Sequence, residues 1–574
     1  MSKNLNENIM LLSGDEALAR GAYEEGLRVA ASYPGTPASE ILESLSKFDE
    51  IDSQWSINEK VAFEVALSSS IGGLRSLYAS KHVGLNVAMD PLMTSAYTGV
   101  GAGFVIVTAD DPGIHSSQNE QDNRLIAEVA KIPLFEPSSP YEAKEFVKTA
   151  FEISEKFDTP VIIRITTRIA HTKENVHVGG RREIPQKDFK IDIPKYVMVP
   201  KNAYKRRLEI EKRLAGLKEY SENSPLNKTE FNNKAIGFIT SGVSYLHVKE
   251  MYPDASFLKI GISFPFPEAM AIDFSNKVKE VFVIEELEPF LENKLKALGI
   301  KFNAKHPSYR TGELRPEYIP DIVSGREKKE EALGTRKPVL CPGCMHRSVF
   351  WVLKKIKAVV TGDIGCYTLG ALPPLGALHT CLCMGAGITF FEGIKKALKK
   401  NIVGVIGDST FVHTGIPGLI NLAYNKTKGL IIILDNSTTA MTGNQPHPAT
   451  GSTIKGEPTK KLILEDMCRA SGADNVDVVD QNDVKAFERL VREKINKEEL
   501  SVIIARSPCR LIQKKKGPAP LYKKEDCRKC YICLSIDCPA ITKTSEGFIH
   551  IDPDLCAGCS LCAETCSFGA IIQA

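Results

Sequence analysis

Several absences narrow the field before any motif is read. No stretch of the 574-residue chain reaches the roughly eighteen consecutive apolar residues that a membrane-spanning helix needs. The opening segment, MSKNLNENIMLLSGDEAL, has too short an apolar core for a secretory signal. An excess of one charge is also missing. The 73 Lys and Arg nearly balance 70 Asp and Glu, which removes the basic footprint of a nucleic-acid binder. The expectation is a soluble, cytoplasmic protein with no nucleic-acid and no membrane partner. Apolar content of 43% is ordinary for a globular chain, and the length demands several cores.

Cysteine is not scarce, but it is unevenly placed. Eight of the fifteen fall in the last fifty residues. A disulfide-stapled secreted domain would be short and carry a signal, so clustered thiols point to metal.

Hydrophobic patterning divides the rest. Residues 1–180 alternate apolar strands, such as FVIVTADDPG and TPVIIRITT, with amphipathic helices such as SPYEAKEFVKTAFEISEKF. Residues 181–232 form a polar connector containing an exposed helix, RRLEIEKRLAGLKEYSE. A second α/β unit covers 233–330 and fades into the charged linker GREKKEEALGTRKP. A third covers 335–512, and QKKKGPAPLYKKEDCRK leads into a cysteine-rich tail at 517–574. The fold class is α/β and multi-domain: doubly wound parallel sheets with a C-terminal ferredoxin-like α+β domain.

The tail carries Cys527-x2-Cys530-x2-Cys533-x4-Cys538 and then Cys556-x2-Cys559-x2-Cys562-x3-Cys566. Two such blocks mark a two-cluster ferredoxin, in which the fourth thiolate of each block crosses to the other cluster. One [4Fe-4S] cluster is therefore assigned to Cys527, Cys530, Cys533 and Cys566. The second is assigned to Cys538, Cys556, Cys559 and Cys562. Zinc is the alternative, but it uses CxxC pairs rather than CxxCxxC triplets. Two departures from the common pattern stand out: four residues precede Cys538, and Ser567 rather than Pro follows Cys566.

Two apolar runs, VGVIGDST and LIIILDNSTTAMTG, both stop at oxygen-bearing side chains, Asp408 and Asn436. Ligands of open parallel sheets bind beyond the carboxyl ends of the strands. Asp and Asn oxygens suit Mg²⁺ shared with a diphosphate. The segment Met384–Gly387, MGAG, reads as a helix start that lets a phosphate approach. The alternative is a plain α/β domain with capping residues at its strand ends.

These segments together resemble the thiamine diphosphate-dependent 2-oxoacid:ferredoxin oxidoreductases. The GD pair followed nearly thirty residues later by Asn resembles that family's thiamine diphosphate motif. The resemblance implies Mg²⁺ ligation by Asp408, Asn436 and the carbonyl of Thr438, with Ser409 at the position where the family has Gly. AASYPGTPASEI and SINEKVAFEVALSSSIGG resemble the family's pyrimidine-binding domain. Glu59 there matches the catalytic glutamate on the pyrimidine ring, and Thr36 a residue beside the thiazolium and substrate. Their bland readings are a helix-start acid and a turn residue.

The resemblance further implies a third [4Fe-4S] cluster, on Cys341, Cys344, Cys366 and Cys509, with buried free thiols as the alternative. Cys381, Cys383 and Cys468 fall outside those contexts and are expected to be core thiols. His379, His413 and His447 lie near the cofactor segment without an assigned role. By resemblance the reaction is oxidative decarboxylation of an arylpyruvate (indolepyruvate, phenylpyruvate) with coenzyme A, electrons passing to ferredoxin. A small beta subunit in an α2β2 complex is implied as well. Ser80–Pro91, SKHVGLNVAMDP, is the segment the resemblance brings towards the substrate.

Overall fold

The computed structural model describes residues 8–329, 338–398, 401–513 and 517–573. Parts of both charged linkers, GREKKEEALGTRKP and QKKKGPAP, lie outside the described residues. The chain divides into two compact units, Met1–Ala332 and Leu333–Ala574.

In the first unit, a seven-stranded sheet runs in the order Ile262–Phe264, Leu134–Phe135, Val161–Thr166, Phe104–Asp110, Ser76–Lys81, Val29–Ser32, Asp52–Trp55. All pairings are parallel except that of the edge strand Ile262–Phe264. Its central strands are buried along their whole length, which is why they read as unbroken apolar runs. A four-stranded sheet follows, ordered Glu280–Ile284, Asn233–Ser241, Ala255–Ile260, Lys228–Glu230. The polar stretch 181–232 thus ends in a strand that pairs antiparallel with Ala255–Ile260. Its helix, Pro200–Asn223, is mostly exposed but buries Ile210, Arg213, Leu217 and Ser221.

The two sheets of this unit are joined by buried charge. Arg124 is 1% exposed, and donates to Asp122 (2.9 Å), Glu285 (2.6 Å) and the carbonyls of Glu286 and Glu288. Arg164, also buried, binds Asp110 at 2.7 Å and Glu136 at 2.6 Å. Such pairs hold only while every member is matched, because a stranded buried charge is costly.

The second unit holds a five-stranded, all-parallel sheet ordered Val359–Thr361, Ile402–Gly407, Gly429–Asp435, Leu500–Arg506, Asn475–Asp480. The tail adds two antiparallel pairs, Leu521–Tyr522 with Ile571–Ile572 and Ile541–Lys543 with Ile549–Ile551. The tail shares the core of this sheet, since Ile536, Ile541, Ile549 and Leu561 pack in one cluster with Val349, Phe350 and Leu353. No helix of the described residues is long and apolar enough to cross a membrane.

Replacing Arg124 by Met should leave Glu285 without its ion-pair partner and Asp122 with only Arg164, at 3.7 Å, and destabilise the first unit by about 3–5 kcal/mol. A lowered thermal unfolding midpoint checks this, and an unchanged midpoint would contradict the role given to the network.

Candidate functional site

The chemistry gathers at the carboxyl ends of the parallel strands. In the second unit, Ile402–Gly407 ends where Asp408 starts a short helix, Asp408–Thr410. The neighbouring strand Gly429–Asp435 ends beside it, Gly407 pairing with Leu434, so Asn436 emerges at the same edge. Asp408 and Asn436 are 3% and 8% exposed. Asp408 Oδ1 accepts from the Ser409 amide (2.8 Å) and Oδ2 from the Ser437 amide (2.9 Å). Asn436 Oδ1 accepts from the Thr438 amide (3.1 Å), and the Thr439 hydroxyl donates to that of Ser409 (3.0 Å). His447 Nε2 faces Asp408 Oδ2 at 3.3 Å. Burial opposes ionisation of Asp408, but His447 and the backbone amide outweigh it and hold the carboxyl below its ordinary range. Buried, hard oxygens on adjoining strand ends are the donor set Mg²⁺ takes, so these residues fit a magnesium diphosphate.

A third strand end belongs to the same edge and was not read from the sequence. Asp363 follows Val359–Thr361 and accepts from the amides of Gly385 (3.0 Å) and Gly387 (2.7 Å). Those amides open the helix Ala386–Ala397, so the MGAG helix start receives a carboxylate of the chain itself. Burial pushes Asp363 up to about 6 despite these donors. A Cβ on Gly387 would lie 2.5 Å from the Val405 carbonyl, so the helix can reach the strand only with glycine there. TGDIG repeats the grammar of IGDST, an apolar run closed by Gly-Asp, and that signal could have found Asp363.

The structure brings Cys341, Cys344, Cys366 and Cys509 into one another's electrostatic range. Burial and the nearby Cys366 and Cys341 push the Cys344 thiol up to about 12. Burial, Cys341 and Cys509 push Cys366 up to about 11. The Cys509 amide donates to the Asn436 carbonyl at 2.9 Å. Cys509 is therefore held directly at the strand end that carries Asn436. Cys468 is buried, but Cys381 and Cys383 are exposed rather than core thiols. They sit in the loop leading to Ala386–Ala397.

In the tail, Cys527, Cys530, Cys533 and Cys566 line one pocket, with Tyr531 and Phe568. Cys538, Cys556, Cys559 and Cys562 line a second, with Gly343 and Arg347. Each pocket thus takes three thiols from one block and the last from the other. Among the described residues no three His, Cys, Asp or Glu converge as for a single metal ion. Four thiols around an apolar pocket fit a cubane cluster. Asp537, just before Cys538, turns left-handed at φ 58°. Arg347, 0% exposed, clamps that turn by donating to the carbonyls of Ile536 (3.1 Å) and Asp537, and also to those of Leu340 and Cys341. One side chain therefore ties the Cys341 loop to the Cys538 loop.

In the first unit, Glu59 opens the helix Glu59–Ile71 behind its cap, Asn58, and is 6% exposed. A Cβ on Gly84 would come 2.7 Å from Glu59 Oε1, so the SKHVG segment presses directly on this carboxylate. Thr36 lies in the turn after Val29–Ser32, and its carbonyl accepts from the Ser116 hydroxyl (3.0 Å). Lys81, at the end of Ser76–Lys81, donates to the Ser116 carbonyl at 2.8 Å. A single lysine in SKHVG carried no sequence signal of burial.

Comparison with known proteins was consistent with this geometry. Residues 20–216 match the family model "Pyruvate flavodoxin/ferredoxin oxidoreductase, thiamine diP-bdg". Residues 363–505 match "Thiamine pyrophosphate enzyme, C-terminal TPP binding domain", and 548–571 match "4Fe-4S binding domain". The chain is similar to indolepyruvate oxidoreductase subunit IorA of Archaeoglobus fulgidus, 39% identical over 98% of this chain and 97% of that protein. IorA of Pyrococcus horikoshii is 40% identical over 98% and 96%. A solved 2-oxoglutarate:ferredoxin oxidoreductase from Magnetococcus marinus aligns over 56% of this chain and 66% of its own, at 15% identity and a TM-score of 0.47.

Serine at Cys344, Cys530 or Cys559 should each lower anaerobically measured iron by about four atoms per chain, one cubane at a time. Full iron in the Cys344→Ser protein would remove the third cluster from the account.

Proposed function

Since the chain belongs to the 2-oxoacid:ferredoxin oxidoreductases, within the IorA line of indolepyruvate oxidoreductase subunits, we propose that it oxidatively decarboxylates arylpyruvates with coenzyme A. The products are an aryl-acetyl-CoA, CO₂ and two reduced ferredoxins. Indolepyruvate and phenylpyruvate are the substrates proposed.

Thiamine diphosphate, when bound, supplies the nucleophilic carbon and the electron sink for decarboxylation, and iron–sulfur clusters supply one-electron relays. Asp408, Asn436 and the Thr438 carbonyl hold the Mg²⁺ of the diphosphate, with Ser409 beside it. Glu59 holds a proton at the pyrimidine ring, in a buried position that Gly84 approaches closely for want of a side chain. Thr36 lines the thiazolium and substrate side. Three [4Fe-4S] clusters are assigned: to the Cys341 set, to the Cys538 set, and to the Cys527 set.

The observation that carries this reading is the bond from the Cys509 amide to the Asn436 carbonyl. It starts a thiol set at the metal-binding strand end, where an electron acceptor is useful. A decarboxylase that released aldehyde would have no electrons to export and no use for such a relay. The partners proposed are a small beta subunit in an α2β2 heterotetramer, because relatives are named as one subunit, and ferredoxin. The compartment proposed is the cytoplasm.

An anaerobic assay of the complex with its partner subunit tests this. CoA-dependent viologen reduction should be fastest with indolepyruvate and phenylpyruvate among a panel of 2-oxoacids. Aldehyde formation without viologen reduction would replace the proposal with a non-oxidative decarboxylase. Glu59→Gln should cut turnover by about 10²–10⁴-fold, the range for a lost proton-transfer group, while bound thiamine diphosphate stays measurable.

A further inference from the structure

We propose that Lys81 binds the carboxylate of the 2-oxoacid substrate. The inference rests on the function proposed above and goes beyond it to a substrate contact.

Lys81 closes the strand Ser76–Lys81, which lies inside the seven-stranded sheet between Phe104–Asp110 and Val29–Ser32. It therefore emerges at the edge where an open parallel sheet presents its ligand. The side chain is 9% exposed. Its stem runs along the turn that carries Thr36, since a Cβ on Gly35 would lie 3.0 Å from Lys81 Cδ and 3.1 Å from Cγ. On the other side the same segment presses on Glu59 through Gly84. Lys81 thus belongs to the neighbourhood of the two side chains assigned to cofactor and substrate.

The ammonium is incompletely matched. Its hydrogen bond goes to a neutral carbonyl, that of Ser116, and among the described residues no carboxylate lies within ion-pair distance of it. Two other buried lysines of this unit close such pairs, Lys144 with Glu24 at 2.8 Å and Lys259 with Glu142, whereas Lys305 has two carbonyls, those of Glu285 and Leu287, to Lys81's one. Asp111 acts on Lys81 through space, but its oxygens are taken by the Ser116 amide (2.8 Å), the Ser117 hydroxyl (2.7 Å) and the Thr167 hydroxyl (2.7 Å). Burial brings the ammonium down to about 8, against the pull of Asp111 and Glu59. A buried cation without a counter-ion is costly, and an arriving anion removes that cost. The substrate brings one carboxylate to this place.

The charge leaves that carboxylate as CO₂ forms. The contact therefore favours bound substrate more than the transition state, and its loss falls on KM rather than kcat.

The test uses the holoenzyme with its partner subunit. Lys81→Met should raise KM for the 2-oxoacid about 10- to 100-fold, as expected for one lost charge-assisted hydrogen bond, with kcat and the KM for coenzyme A little changed. Lys81→Arg should recover most of the affinity. An unchanged 2-oxoacid KM in Lys81→Met, or a raised coenzyme A KM instead, overturns the proposal. If Lys81→Met loses thiamine diphosphate or iron, the wild-type protein decides. 3-Phenylpropionate, an unreactive carboxylate, should slow amidination of Lys81 read by peptide mass spectrometry, and coenzyme A should not. Absence of that protection overturns the proposal. A wild-type enzyme inactive on every 2-oxoacid would instead sink the function proposed above, and the protection experiment would still judge Lys81.

Discussion

Parallel strands end on one edge, and that constraint organises both units. Helices cover both faces of such a sheet, so the strand interiors must be apolar. Polar chemistry is then confined to the ends, where strand carbonyls give way to helix amides. Asp363, Asp408 and Asn436 all sit there, each carboxylate or amide oxygen met by backbone N–H groups. Thr36 and Lys81 occupy the equivalent edge of the first unit. The amides do more than satisfy these oxygens. They fix their directions, so a hard metal or a phosphate meets a preformed set.

Crowded thiols impose the second constraint. Burial, with neighbouring cysteines adding to it, pushes Cys344, Cys366, Cys533 and Cys562 well above the ordinary thiol range. Without metal, these groups stay protonated and gain nothing from being together. Any iron bound by such thiols must displace those protons, which couples metal binding to the folding of the loops that carry them. The shared core under the tail and the Arg347 clamp give those loops a rigid base. A relay needs fixed separations, and a tail on a free tether would not supply them.

Legibility followed the range of the interactions. The CxxCxxC triplets are local, and their chemistry is visible in a dozen residues. The expected crossing of Cys566 and Cys538 came from the two-block ferredoxin pattern, and each of the two pockets is lined by one cysteine of the other block. The quartet ending in Cys509 was beyond spacing. Cys509 follows Leu500–Arg506, and only the sheet order lays that strand beside Gly429–Asp435. Asp363 escaped although its signal matched that of Asp408, because nothing in one strand end announces how many others share its edge. Cys381 and Cys383 were misplaced because a thiol's burial depends on what covers its loop.

The sequence by itself determined the element types, the two cluster motifs and the oxygen-ended strands, since all of these rest on periodicity and short spacing. Tertiary structure alone decided what lies beside what. It set Cys509 on Asn436, Arg347 between two cysteine loops, and beside Thr36 and Glu59 a buried lysine with no carboxylate at ion-pair distance among the described residues. Burial and charge pairing are properties of neighbours distant in the chain, and no local pattern encodes them.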